Sequence, residues 1–160
     1  MKKIVTVLMC LAICIAFCGC EQDKEIFVFD DFGIEVKMRT DKTVCVSHDK
    51  SSMLISDVKS GDPLGVISVD KQKDTNINKI YDLYVIGDGE KIKTELSDNL
   101  IFVEIINKVD SVALGERDHK AYCFIFYDES TGALLFGRFF EICECDFIID
   151  LAKSIEIAII

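Results

Sequence analysis

Four residues in the C-terminal third of the chain have side chains that bind transition metals. They are His119, Cys123, Cys143 and Cys145, whose nitrogen and sulfur atoms are the ligands that zinc and copper prefer. Their spacing does not favour a site, because structural zinc sites separate paired cysteines by about two to four residues, whereas one residue separates Cys143 from Cys145. We therefore predict no bound metal and no cofactor.

The predicted strand pairing gives a second reason to expect no metal site. The segment 128–132, with a glycine at its end, has the length and composition of a hairpin turn. If Asp128 pairs with Ala133, Cys123 lies opposite Arg138, and the two later cysteines lie on the other face of the sheet. The candidate ligands would then be divided between two faces.

Sequence motifs that carry catalysis are not recognisable. The chain has only two histidines, no Gly-x-Ser-x-Gly motif and no evident cysteine–histidine arrangement. Neighbouring carboxylates such as Asp30-Asp31 are expected by chance among 28 acidic residues, so they do not identify a hydrolase. Gly87-Asp88-Gly89 follows a predicted helix and does not open one, which indicates a helix end and not a phosphate loop. We predict no catalytic residue.

The first 20 residues have the order of an export signal. Lys2 and Lys3 precede an apolar run at 4–17, and Gly19 precedes Cys20, after which the sequence becomes acidic. This order resembles a bacterial lipoprotein signal. The resemblance implies cleavage between Gly19 and Cys20, a diacylglycerol on the Cys20 thiol and acylation of the new amine. Residues 1–19 would be the signal peptide, and residues 20–25 a short tether that begins with lipidated Cys20.

The N-terminal segment has two alternative interpretations. An uncleaved transmembrane anchor needs about 20 apolar residues, and the run here is shorter. An ordinary signal peptidase cut would leave Cys20 as a plain thiol, and processing at Cys18 is disfavoured by the bulky Phe17 before it. The lipoprotein signal predicts attachment to a membrane surface in the bacterial cell envelope, at the outer membrane or on the periplasmic face.

The charge of the processed chain restricts its partners. All 28 acidic residues and 16 of the 18 Lys and Arg residues lie beyond Cys20, so the formal charge from there onward is −12. Binding of nucleic acid requires cationic neutralisation of phosphates, so we predict no nucleic-acid partner. A protein partner with a basic surface is compatible with this charge. We expect a monomer.

Three functions stay open at this point. The first is a non-enzymatic binding or accessory domain that presents an acidic surface. The second is an immunity-type inhibitor that neutralises a basic toxin in the periplasm, and the third is a hydrolase or redox protein with an unrecognised site. Four cysteines, Cys45, Cys123, Cys143 and Cys145, remain after lipidation, and the sequence leaves open whether they form disulfides or buried free thiols.

Strands dominate the predicted secondary structure. Ile34, Val36 and Met38 alternate with charged residues, which is typical of a half-buried strand. The run 100–106 has apolar residues on both sides of the predicted strand, so we expect it in a sheet that is covered on both faces. The alternation continues through the chain, and we predict about six or seven strands.

Two segments have helical spacing. Ile77, Ile80, Tyr81, Tyr84 and Val85 form one apolar stripe, with Asp74 or Thr75 as the predicted N-cap and Gly87 or Gly89 at the end. The second stripe contains Ile148, Leu151, Ala152 and Ile155, with Asp146 as the predicted N-cap.

These elements predict a single α+β domain at 26–160, an antiparallel sheet flanked by a mid-chain helix and a C-terminal helix. After a lipoprotein signal, this arrangement resembles the PsbP and DcrB group of small domains. The resemblance rests on a first hairpin at 33–46, the mid-chain helix, a long hairpin at 120–143, and a closing helix that runs into Lys153-Ser154-Ile155. It implies a fold and assigns no functional residue.

Overall fold

The computed structural model of the chain describes residues 24–86, 89–111 and 115–160, and it describes side chains outside 108–118. The predicted signal peptide, its cleavage position at Gly19 and Cys20, and most of the 20–25 tether lie outside the described residues. Within the described ranges, no helix is both long enough and apolar enough to cross a membrane.

The described part of the chain folds into two antiparallel sheets and two helices. The strands are β1 (Glu25–Phe29), β2 (Ile34–Met38), β3 (Val44–His48), β4 (Ser52–Asp57), β5 (Pro63–Lys71), β6 (Glu90–Ser97), β7 (Leu100–Ser111), β8 (Gly115–Asp128), β9 (Ala133–Phe140) and β10 (Glu156–Ile159). The helices are α1 (Ile77–Tyr84) and α2 (Cys145–Lys153). The large sheet has the order β3-β4-β5-β9-β8-β7-β6, and the small sheet has the order β1-β2-β10. The predicted α+β class is confirmed, but the prediction of one sheet missed the second.

The hairpin formed by β8 and β9 has the predicted register. Asp128 pairs with Ala133, and Cys123 lies opposite Arg138. Strand β9 ends at Phe140, earlier than the predicted end at Cys143, because the chain turns there and the Cys143 amide donates to the Phe140 carbonyl at 3.0 Å. The turn carries the chain from the large sheet into α2.

The small sheet is built from the two ends of the described chain. Val36 on β2 lies opposite Phe27 on β1 and opposite Ile157 on β10. The predicted hairpin at 33–46 is therefore not formed, because β2 and β3 belong to different sheets and β3 pairs with β4. Long-range pairing with β10 occupies the edge of β2 that the hairpin would have used.

The inner core lies between the large sheet, the small sheet and α2. Ile34, Val36 and Met38 are fully buried in it and alternate with half-buried Glu35 and Lys37, as the sequence predicted. The same core contains apolar residues from β1, from the inward face of the large sheet and from α2, including Phe29, Ile67, Phe124, Leu135, Ile148 and Leu151.

A smaller outer core lies between the other face of the large sheet and α1. Strand β7 contributes to both cores, because Leu100 and Phe102 face the inner core whereas Ile101 and Val103 face α1. The prediction that this strand lies in a sheet covered on both faces is confirmed. Helix α1 covers part of the outer face, and its residue Ile80 is buried against the sheet.

The helix starts differ from the predicted caps. The N-cap of α1 is Asn76, not Asp74 or Thr75, and its side chain accepts a hydrogen bond from the Lys79 amide at 3.0 Å. Asp74 has a positive φ of 55° in the turn before the helix, which is incompatible with a cap position. The C-cap is Val85, and Gly87 lies outside the described residues.

Helix α2 begins at Cys145, so Asp146 lies in its first turn and is not the predicted N-cap. Glu144 takes the N-cap position and makes no side-chain capping hydrogen bond. The negative charge of Asp146 still lies near the helix N-terminus, where it interacts favourably with the helix dipole. Cys145 is thus helical, whereas the sequence placed it on a strand.

Candidate functional site: a cleft on the outer face of the large sheet

The four predicted metal-ligand candidates are dispersed. Cys123 lies in the outer core and Cys143 in the inner core, on opposite sides of the large sheet, although Cys143 lies in the turn after β9 and not on a strand as predicted. The Cys143 thiol donates to the Leu64 carbonyl at 3.3 Å. The exposed His119 has its Nδ1 atom 3.6 Å from a carboxylate oxygen of Glu141. Among the described residues, no three His, Cys, Asp or Glu side chains are grouped in a way that could hold a metal ion.

An open cleft of about 870 Å³ lies on the outer face of the large sheet, beside the end of α1. We call it the outer cleft. Strands β5, β9, β8 and β7 form its floor, and the end of α1 forms one wall. Its lining residues are mostly apolar or aromatic: Val66, Tyr84, Ile86, Ile105, Ala121, Tyr122, Cys123, Phe136, Phe139 and Phe140, together with the polar Ser68, Asn107 and Arg138.

Arg138 places a positive charge in this apolar surrounding. Its guanidinium carbon lies 4.8 Å from the centroid of the Phe136 ring, which is a cation–π contact within one strand. The Arg138 side chain is exposed and takes part in none of the ion pairs found among the described residues. A planar guanidinium that is held over a ring keeps its N–H groups directed sideways, where they can bind an anion.

The Cys123 thiol lies beside Arg138 on the neighbouring strand and is not activated. Burial raises the pKa of Cys123 from 9.0 to about 11, and the opposing effect of the Arg138 charge is smaller. The thiol is therefore protonated at neutral pH, and a protonated thiol is a poor nucleophile. Cys123 contributes packing to the floor of the outer cleft.

Tyr84 joins the wall of the outer cleft to the sheet. Its ring makes an edge contact with the Phe136 ring, with centroids 5.3 Å apart, and its hydroxyl donates to a carboxylate oxygen of Asp70 at 3.1 Å. Burial and the neighbouring Asp70 both raise the pKa of Tyr84 above its ordinary value. Tyr84 therefore stays protonated at neutral pH, and its hydrogen bond to Asp70 orients the wall.

Several apolar side chains around the outer cleft face solvent. The exposed fractions are 37% for Val66, 57% for Phe140 and 80% for Ile86. Helix α1 ends before it reaches this part of the sheet, so no other helix or strand of the described residues covers the apolar face beyond it. Contiguous exposed apolar surface on a small protein is typical of a binding site.

A second, polar cleft of about 670 Å³ lies beside the N-terminus of α2. Its charged lining residues have both signs: the cations Lys24, Arg39 and Lys153, and the carboxylates Asp41, Glu144, Asp146 and Asp150. This cleft lies next to the small sheet, on the inner side of the large sheet, and so is separate from the outer cleft.

The outer cleft was not predicted from the sequence. Its residues come from strands far apart in the chain, and each one resembles an ordinary core or surface residue by itself. The only local signal is Arg138, a charge within the apolar run of β9. No protein-family model, curated protein or solved structure matches the chain, so the site is assigned from its own geometry.

Proposed function

We propose that the protein is a lipid-anchored binding protein of the bacterial cell envelope, without enzymatic activity, and that it binds its ligand in the outer cleft. One observation carries this proposal: the described lining of an open apolar cleft contains one guanidinium, and the thiol and the tyrosine beside it are both held in their neutral forms. Such a lining suits recognition of a ligand better than nucleophilic or acid–base catalysis.

The anchor in this proposal is the lipid on Cys20. The tether leads into β1 of the small sheet, and the small sheet packs on the face of the large sheet opposite to the outer cleft. A lipid at Cys20 would therefore hold the protein by the side away from the outer cleft and leave that cleft open.

Metabolic labelling with palmitate tests the anchor. The unchanged protein should incorporate label and partition into detergent, whereas Cys20→Ala should do neither, because the diacylglycerol thioether supplies two chains. Cys45→Ala is the control, since Cys45 is an exposed cysteine on β3 that is not needed for processing. Equal labelling of Cys20→Ala and the unchanged protein would refute lipidation at Cys20.

A photoactivatable apolar probe tests the binding site. Full-length protein in phosphatidylcholine vesicles is irradiated with a diazirine derivative of hexadecanol, and labelled peptides are mapped by mass spectrometry. Label should be concentrated on β5, β9 and the end of α1, and Val66→Glu should remove it. Val58→Glu is the matched control, because Val58 is an exposed valine outside the outer cleft. Labelling without preference for these segments would contradict the proposal.

The formal charge of −12 beyond Cys20 supports a second candidate function, an immunity-type inhibitor of a basic toxin. Charge attraction would then accelerate association, and this effect weakens as the Debye length falls from about 30 Å at 0.01 M salt to about 8 Å at physiological ionic strength. Stopped-flow measurements with a basic partner found by pull-down should show a steep fall of the association rate with salt. A rate that does not depend on salt would leave only the first function.

A further inference from the structure

We infer that the ligand of the outer cleft is a long-chain carboxylate, whose anionic head binds Arg138 and whose apolar chain lies over Val66, Phe136 and Phe140. This inference rests on the proposed function and specifies the chemical class of the ligand. The ligand class is a fatty acid, because it fits three properties of the outer cleft at once. No neutral or cationic amphiphile fits all three.

The first property is an uncompensated positive charge. Arg138 has no carboxylate partner among the described residues, and it differs from the lysines that also lack an ion pair there, such as Lys42 and Lys50, because it lies in the mostly apolar lining of the outer cleft. The chain beyond Cys20 carries a formal charge of −12, so carboxylates are abundant. The Arg138 guanidinium can therefore bind an anion from outside the protein.

The second property is the geometry around that charge. The contact with the Phe136 ring holds the guanidinium in the lining, with its N–H groups free to form two parallel hydrogen bonds with one carboxylate. Ser68, which lies opposite Phe136 on β5, adds a hydroxyl on the same face. A carboxylate satisfies this fork of donors, whereas an alcohol or an ammonium group cannot.

The third property is the extent of the apolar lining. Around Arg138, the outer cleft extends along β5 and β9 past Val66 and Phe140, and toward Ile86 at the end of α1. Its volume of about 870 Å³ is within the usual range for small-molecule sites, which is about 300–1,000 Å³. The lining can therefore cover a long alkyl chain as well as the headgroup.

Photolabelling with a hexadecanoate that carries a diazirine in its chain tests the inference. Full-length protein in phosphatidylcholine vesicles should be labelled on β5, β9 and the end of α1. Unlabelled hexadecanoate should suppress this labelling, and hexadecanol should be weaker by roughly tenfold or more, because it lacks the charge-assisted hydrogen bonds. Shorter carboxylates should compete less well, by roughly fourfold for each methylene removed.

Variants of Arg138 test its role, and a variant of Arg39 is the control. Arg138→Gln should reduce labelling by hexadecanoate by roughly ten- to hundredfold, and Arg138→Lys should have an intermediate effect, because an ammonium retains the charge but not the paired donors. Arg39→Gln should have no effect, since Arg39 lines the polar cleft by α2. Circular dichroism of each variant shows whether it is folded. If Arg138→Gln does not fold, labelling of Arg138→Lys still tests whether the paired donors of the guanidinium are needed.

The outcomes separate this inference from the proposed function. If the hexadecanol probe labels the outer cleft but hexadecanoate has no advantage over it, or if Arg138→Gln is labelled as strongly as the unchanged protein, the carboxylate assignment is wrong and the binding function stands. If neither probe labels the outer cleft, both are wrong.

Discussion

Cys123 and Arg138 are direct partners on neighbouring strands, and both side chains line the outer cleft. The thiol is buried in the outer core, whereas the guanidinium is exposed to solvent. Burial raises the pKa of the Cys123 thiol more than the neighbouring charge lowers it. The pair therefore places an unreactive, protonated thiol beside one exposed positive charge. This combination is the basis of the proposed binding function.

The raised pKa of Cys123 predicts a loss of stability in alkali. The folded protein holds the thiol proton more tightly, with a pKa of about 11 against an ordinary 9.0, so the stabilisation is complete below pH 9 and is lost as the pH rises toward 11. Two pKa units correspond to about 2–3 kcal/mol of unfolding free energy. Urea denaturation at pH 8 and pH 10.5 should show a smaller alkaline loss in Cys123→Val than in the unchanged protein. Identical losses in both proteins would contradict the raised pKa.

Thiol reactivity should follow exposure. Cys45 is exposed on β3, whereas Cys123 and Cys143 are buried, and burial raises the pKa of both buried thiols. In the native protein at pH 8, iodoacetamide should modify Cys45 first, and Cys45→Ser should remove the fast phase measured by mass spectrometry. A fast phase that persists in Cys45→Ser would mean that one of the other cysteines is more accessible than the structure indicates.

Gly137 is required by the ring of Phe124. A Cβ atom at Gly137 would overlap the Phe124 ring, which lies over it on the inner face of the large sheet. Both residues are buried in a well-packed sheet, so Gly137→Ala should destabilise the protein by about 1–3 kcal/mol in chemical denaturation. The double variant with Phe124→Leu should show less than the sum of the two single effects, because the smaller side chain removes the overlap. Additive effects would argue against this contact.

The side chain of Asn76 should stabilise α1. It accepts a hydrogen bond from the Lys79 amide at 3.0 Å, so Asn76→Ala should lower the unfolding free energy by about 1 kcal/mol. Asn76→Asp retains the acceptor and should preserve most of the stability. Equal destabilisation by both substitutions, measured by thermal unfolding, would show that the loss does not come from the cap.

Local patterns in the sequence determined the individual elements. The alternation of Ile34, Val36 and Met38 predicted β2, and the consecutive apolar residues at 100–103 predicted a strand buried on both faces. The helical stripe that begins at Ile77 predicted α1. The register of the β8–β9 hairpin was also predictable, because a short turn fixes which residues are opposite each other. Each of these features depends on residues that are close in sequence.

Only the tertiary structure decided which elements meet. Strand β2 pairs with β10 from the other end of the chain and not with the adjacent β3, and the alternation in β2 suits either neighbour equally well. The outer cleft arises in the same way, since Val66, Arg138 and Tyr84 come together only when β5 pairs with β9 and α1 packs across the sheet. The choice among long-range pairings depends on how well whole surfaces fit, and periodicity within one segment carries no information about its partner.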